Sequence, residues 1–262
     1  MDNEVFQIPV RLGVGSDGKE VTVNLSDAAN MLVVGGHGSG KDRFIEQVVE
    51  SVLASGGSED VKVVLANLGG CSFDRFEGDP HLLTTSVLRR EIEAFGVMDY
   101  LTEEVRLRTA MFSTVKVDNI SQYNAMVSEG PYAGAREKLP HLVYIIDEIA
   151  GMTHNNRPRF NLQLMRLSWQ SRSLGIHLVF ATEVINSVVI TDRLLNDFPA
   201  HIAFRLDTVE QSRLILGQDG AETLGERAGA FKKERTGVNT FMLYLGNSLI
   251  SSSVHASQRL EF

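Results

Sequence analysis

The chain of 262 residues contains one cysteine, Cys71. An intramolecular disulfide is therefore excluded, and nothing argues for an oxidising compartment. A reducing cytoplasm is the expected setting, with the cytoplasmic face of a membrane as an alternative if the chain works inside a larger protein or complex. No run of about eighteen apolar residues occurs, and the first residues, MDNEVFQIPV, lack the basic and apolar regions of a signal peptide. No membrane contact is expected within the chain. Basic residues are outnumbered, 25 against 33 acidic, for a formal net charge of −8. That balance argues against a surface coated in nucleic-acid-binding lysines, though it permits a local basic strip inside an oligomeric ring. Internal repeats and low-complexity segments are also missing.

What is present is a core. A hydrophobic fraction of 43% over this length supports one α/β domain spanning residues 1–262. Apolar, β-rich runs recur at NMLVVGG (30–36), VKVVLANL (61–68), HLVYIIDE (141–148), GIHLVFAT (175–182) and HIAFRL (201–206). Near-continuous Val, Ile and Leu suit strands buried on both faces. Between them, residues 41–54, 86–112 and 160–173 carry apolar residues at helical spacing. The pattern predicts a mostly parallel twisted sheet flanked by helices. Residues 127–140 and 152–159 read as surface loops, and the tail from Val238 as edge strands or a hairpin turning at GNS.

The chemistry concentrates at VVGGHGSGKD, residues 33–42. A strand, then Gly35, Gly36, His37, Gly38, Ser39, Gly40 and Lys41, then an amphipathic helix, is the context a phosphate-binding P-loop requires. Glycines turn backbone N–H groups inward around phosphate oxygens, the helix N-terminus adds its positive end, and Lys41 reaches the β and γ phosphates. Asp42 stands where a Ser or Thr hydroxyl would meet Mg2+. The second half of the site is LVYIIDEIA, which delivers Asp147 and Glu148 to the carboxyl edge of the sheet, where ligands of open α/β folds gather. Asp147 would hold Mg2+ through water, and Glu148 would act as general base on the attacking water. An Asp-Glu pair here also serves as a helix N-cap followed by a first-turn acid.

Seven separated blocks, IPVRLG, GGHGSGKD, EGDPHLL, NISQYNAM, LPHLVYIIDEIA, QSRSLGIHLVFAT and SRLILGQDGAETL, resemble in the same order the motor domain of the FtsK/SpoIIIE DNA translocases. The match runs from about Ile8 to Leu245. The resemblance implies a RecA-like P-loop NTPase core that binds ATP and Mg2+, assembles as a hexameric ring and passes double-stranded DNA through its channel. The family's membrane-anchoring segment and DNA-reading winged-helix module find no match, so a motor core alone is expected.

Four positions depart from the family pattern. They are Asp42; Glu183, in place of the glutamine that senses the γ-phosphate; Ala66–Gly69, in place of an Asp-Pro-Lys type strand end; and His201, in place of an arginine. Asp42 and Glu183 each add a carboxylate near a triphosphate, and two unit charges ~4 Å apart repel by about 4 kcal/mol at an effective dielectric near 20. A carboxylate is also a hard oxygen ligand that Mg2+ accepts, so Asp42 could hold the ion directly. Impaired hydrolysis is the expectation. Within the resemblance, Arg205 and Arg213 are the candidates for the arginine supplied to a neighbour's γ-phosphate, and each could equally be a surface arginine paired with Asp207 or Glu210. The segments HIAFRL and LGGCSFDRFEGDPH look like those of the type VII secretion ATPases EccC and EssC. The alternative is thus a catalytically weak module that binds nucleotide and recognises a secreted protein substrate.

The remaining polar and aromatic features read as structural. His81, His141 and His177 show no metal spacing, and Phe160, Trp169, Met98, Met111 and Met165 fit helix packing. Arg89-Arg90 and Lys232-Lys233 suit solvated faces. Arg157 and Arg159, on the segment THNNRPRF, are the candidates for sequence-independent DNA phosphate contacts.

Overall fold

The Val, Ile and Leu runs hydrogen-bond into one sheet because helices cover both of their faces. The computed structural model describes residues 6–15, 20–28, 30–168, 171–224, 239–245 and 248–256. In chain order the strands and α-helices are β1 (Pro9–Gly15), β2 (Glu20–Asn24), α1 (Leu25–Ala28), β3 (Asn30–Val34), α2 (Lys41–Leu53), β4 (Val61–Ala66), α3 (Glu91–Val115), α4 (Ile120–Ser128), β5 (His141–Ile146), α5 (Ala150–Ser168), β6 (Ile176–Thr182), α6 (Asp192–Asp197), β7 (Ala200–Ala203), α7 (Val209–Leu216), β8 (Asn239–Leu245) and β9 (Ser248–Ala256). Among the described residues the sheet order is β2-β1-β9-β8-β7-β3-β6-β5-β4. The five strands from β7 to β4 run parallel, and the rest pair antiparallel.

The period of two along β3 divides the core. Met31 and Val33 face Phe44, Ile45, Val48 and Val49 of α2, while Leu32 and Val34 face the cluster that holds Phe95 and Met98 of α3 and Phe160 and Leu164 of α5. Phe160 is a core residue, as its spacing suggests. This layering fixes where ligands gather: β3, β5, β6 and β7 all end at one edge, and the P-loop leaves that edge between β3 and α2.

Several sequence expectations are corrected. β8 and β9 do form an antiparallel hairpin, but it lies inside the sheet, since the N-terminal β1–β2 pair adds to β9 and takes the edge. Two of its GNS turn residues, Gly246 and Asn247, lie outside the described residues, as do Trp169 and Lys232-Lys233. Residues 152–159 are not a surface loop. They belong to α5, which kinks at Asn156 (φ −148°, ψ 54°) just ahead of Arg157 and Pro158. Proline supplies no N–H and crowds the preceding turn, so the helix bends instead of ending. Residues 86–90 are not helical either: the Leu83 and Leu88 N–H groups donate to the carbonyls of Val63 and Leu65 at 2.9 Å each, filling the open edge of β4. That pairing postpones the start of α3 to Glu91.

Candidate nucleotide-binding site

Backbone conformation builds the loop that follows β3. Gly38 (φ 69°) and Gly40 (φ 96°) occupy the left-handed region that side chains disfavour. Gly35 is required for a different reason, because a Cβ there would lie 2.5 Å from Ser39 Oγ and 2.7 Å from Phe204 Cβ. The loop is tied to the neighbouring strand ends: the Gly36 N–H donates to the Arg205 carbonyl at 3.0 Å, and the Ser39 N–H donates to the Gly36 carbonyl at 3.1 Å. No side chain caps α2, whose N-cap is Gly40. Its first-turn N–H groups and the positive end of the helix dipole are therefore open to an anion. The buried Ser39 Oγ has no hydrogen-bond partner among the described residues.

Lys41 is only 4% exposed and points at two carboxylates. Its Nζ lies 2.5 Å from Asp42 Oδ1 and 3.9 Å from Glu183 Oε1. Burial alone would lower the ammonium pKa, but the hydrogen bond and charge of Asp42 outweigh it and the net shift is upward. Glu183 also faces His37, with Oε2 3.7 Å from Nδ1. Both acids that depart from the family pattern thus converge on the P-loop lysine, one from the head of α2 and one from the end of β6.

Glu148 is held from two sides. Oε1 accepts the Ala150 N–H, capping α5, and Oε2 accepts the Glu183 N–H, each at 2.8 Å. This corrects the expected N-cap followed by a first-turn acid: Asp147 does not cap α5, and Glu148 caps its first N–H from outside the helix, while the same bonds fix the carboxylate beside the end of β6. Asp147 is enclosed instead. It is 1% exposed. Oδ1 accepts N–H groups from Leu68 at 2.6 Å and Gly69 at 3.0 Å, while Oδ2 accepts from Gly69, Gly70 and Cys71 at 3.1, 2.8 and 3.0 Å. Successive N–H groups converging on one anion make a backbone nest. The chain can fold this tightly because position 69 is glycine: a Cβ there would come within 2.9 Å of Glu148 Cβ. This nest was missed in the sequence, where its signal is the Gly69-Gly70 pair, separated from the end of β4 by two residues. Cys71 closes the turn, and burial, followed by the Asp147 charge, pushes its thiol pKa well up.

Among the described residues no group of three or more His, Cys, Asp or Glu is placed to hold a metal alone. Mg2+ nevertheless takes one or two carboxylates and completes its shell with phosphate and water. Asp42, at the head of α2 and half exposed, fits that demand, whereas Asp147 has both oxygens engaged by backbone.

The arginines separate clearly. Arg205 is exposed and follows β7 beside the loop, its carbonyl bonded to Gly36 of the same chain. Arg213 is bound to Asp219 at 2.6 Å, which is neither of the partners expected from the sequence. Arg159 is paired with Asp99 at 2.7 Å and lies over the Phe95 ring, so of the two candidate DNA-contacting arginines Arg157 is the exposed one.

The profile of the FtsK/SpoIIIE family matches residues 1–191. The chain belongs to the FtsK/SpoIIIE family. Within it, the chain is 32% identical over 232 residues to the DNA translocase FtsK of Shewanella oneidensis, covering 81% of this chain and 25% of that protein. It is 29% identical over 224 residues to the FtsK of Corynebacterium efficiens, covering 82% and 24%. This FtsK/SpoIIIE chain therefore spans about a quarter of the length of the curated relatives it matches. The fold is shared with the cytoplasmic domain of the type VII secretion ATPase EccC of Thermomonospora curvata (TM-score 0.76, 18% identity, all of this chain and 31% of that one). It is also shared with the conjugation coupling protein TcpA of pCW3, solved with ATPγS (TM-score 0.74, 20% identity, 97% of this chain and 66% of that one). The expected α/β P-loop core is thereby established, and the EccC domain shares its fold.

Proposed function

We propose that this chain is the nucleotide-binding core of an ATP-driven motor that moves double-stranded DNA and works as a ring, with a hexamer as the expected form. One observation carries the nucleotide reading: a buried lysine heads a helix whose N-terminus no side chain caps, beside a carboxylate held by two backbone N–H groups. The loop from Gly35 to Gly40 and the first turn of α2 take the phosphates. Lys41 leaves its carboxylate partners for the β and γ oxygens. Glu148, already aimed, orients and deprotonates the attacking water, and Arg205 is the better placed of the two arginines to neutralise γ-phosphate charge, since Arg213 is occupied. Mg2+, held by Asp42, would neutralise charge on the phosphate oxygens. The relatives named DNA translocase support DNA as the substrate. No helix among the described residues is long and apolar enough to cross a membrane, and we place the core in the cytoplasm or at the cytoplasmic face of a membrane.

The Asp147 nest favours a second reading. With that carboxylate closed to an ion and two acids on Lys41, the chain would bind nucleotide with weak turnover and recognise a secreted protein; ATPases 2 and 3 of EccC, which share the fold, are solved with a signal sequence peptide. Measuring Mg2+-dependent ATP binding and hydrolysis, with and without double-stranded DNA, on the parent and Asp42→Ser decides between them. DNA-stimulated turnover by the parent supports the motor. Binding without turnover, unchanged by DNA, supports the second reading. Absence of nucleotide binding refutes both.

A further inference from the structure

The two acids on Lys41 bear on which nucleotide the site prefers. On the nucleotide reading the loop N–H groups and the head of α2 take one phosphate, and the Lys41 ammonium lies between Asp42 and Glu183 at the end of β6. There Glu183 Oε1 stands 3.9 Å from Nζ, and the Glu183 N–H donates to Glu148 Oε2 at 2.8 Å. Asp42 holds the same ammonium at 2.5 Å. A terminal phosphate placed beyond the first would have to displace Glu183 from the lysine and then rest among Asp42, Glu148 and Glu183. One phosphate fewer leaves the Lys41–Glu183 contact intact and meets the Asp42 charge without those of Glu148 and Glu183. The lysine is buried whereas Asp42 and Glu183 are each partly exposed, so solvent moderates the contrast without removing it.

We infer that Asp42 and Glu183 determine phosphate number, making this site select a nucleoside diphosphate over a triphosphate. The inference rests on the nucleotide-site reading above and adds its preferred ligand. The triphosphate becomes competitive only when a divalent cation on Asp42 cancels part of the charge, so the preference is strongest without Mg2+.

The test is the Kd of the chain for ADP and for ATPγS, each with excess EDTA and with saturating Mg2+. The parent should bind ADP at least tenfold more tightly than ATPγS in EDTA, a difference of about 1.4 kcal/mol. Glu183→Gln should tighten ATPγS by about tenfold and leave ADP within about twofold, since only the outer phosphate meets that side chain. Glu183→Ala provides the same readout should the glutamine disturb the strand end. Equal affinities in the parent, or tighter ATPγS, would overturn the inference. So would variants that shift both nucleotides alike, which would make Glu183 a general electrostatic influence. If the parent binds neither nucleotide, the nucleotide-site reading itself fails and this inference with it; if ADP binds but without preference, only the inference fails.

Discussion

Replacing Asp147 with asparagine would test whether this carboxylate pins the chain that follows β4. Four N–H donors, from Leu68 through Cys71, converge on its two oxygens at 2.6 to 3.1 Å. Asparagine retains one acceptor oxygen and turns an NH2 group toward the other donors. With the amide oxygen at the Oδ1 position, the N–H groups of Gly70 and Cys71 lose their acceptor in a site that is 1% exposed at the aspartate. Each buried donor left unsatisfied costs about 1–3 kcal/mol, giving roughly 2–6 kcal/mol in all. Relief from burying a charge pulls toward the lower end. For a domain of this size that corresponds to a drop of roughly 5–20 °C in Tm. Thermal and urea unfolding of parent and Asp147→Asn would measure it. Gly69→Ala provides the paired perturbation, because its Cβ would press on Glu148 Cβ and on Asp147 Oδ2, at 2.9 and 3.2 Å. The two substitutions act on the same contacts, so the double variant should lose less than the sum of the singles. A Tm change below about 2 °C for Asp147→Asn, with additive behaviour in the double variant, would refute the reasoning and return Asp147 to the list of open metal ligands.

Other predictions follow from separate contacts. His141 stacks on His177 at the starts of β5 and β6, and burial, then the Arg108 charge, lowers its pKa from 6.5 to about 4. The unfolded chain therefore binds more protons between those values, and stability falls as pH drops through the window. About 2 kcal/mol should be lost between pH 7 and pH 5, and His141→Phe should flatten that slope in urea titrations at both values. Arg205→Ala removes an exposed side chain, so Tm should stay within the effect of about 0.5 kcal/mol, while ATP turnover falls about a hundredfold or more if the residue acts on the γ-phosphate. Unchanged turnover would exclude it. Arg108, 2% exposed, donates to Glu104, Pro140 O and Leu174 O, and Arg108→Ala should cost about 2–4 kcal/mol by leaving the buried Leu174 carbonyl and the part-buried Glu104 and Pro140 acceptors unpaired.

The buried parallel strands were legible because they are short apolar runs with turn residues beside them, and β5 and β6 fall within about a residue or two of where their composition puts them. The β1–β2 pair was not, since strands of mixed polarity give a weak signal and acquire their role only by pairing with β9. The α5 segment misled for a local reason: Asn155-Asn156-Arg157-Pro158 has the composition of a loop, yet its flanking apolar residues pack on α3 and carry the helix through the kink. At the site, the glycine spacing, Lys41 and the Asp147-Glu148 pair could be read in one dimension. The convergence of Asp42 and Glu183 on one ammonium could not, because about 140 residues separate them and only the parallel pairing of β3 with β6 makes them neighbours.

By itself, then, the sequence determined the chemical inventory: a glycine-rich loop ending in Lys41, an acidic strand end at Asp147 and Glu148, and the carboxylates of Asp42 and Glu183. These are properties of residue type and local spacing, which the backbone's steric rules convert directly into strands, turns and a helix N-terminus. Only the tertiary structure decided which groups remain available. It enclosed Asp147 in four backbone N–H groups, bound Arg213 and Arg159 to surface acids, left Arg205 exposed, and set Asp42 and Glu183 on Lys41. Availability depends on through-space distances and burial, and these are set when the sheet brings distant strand ends to a common edge.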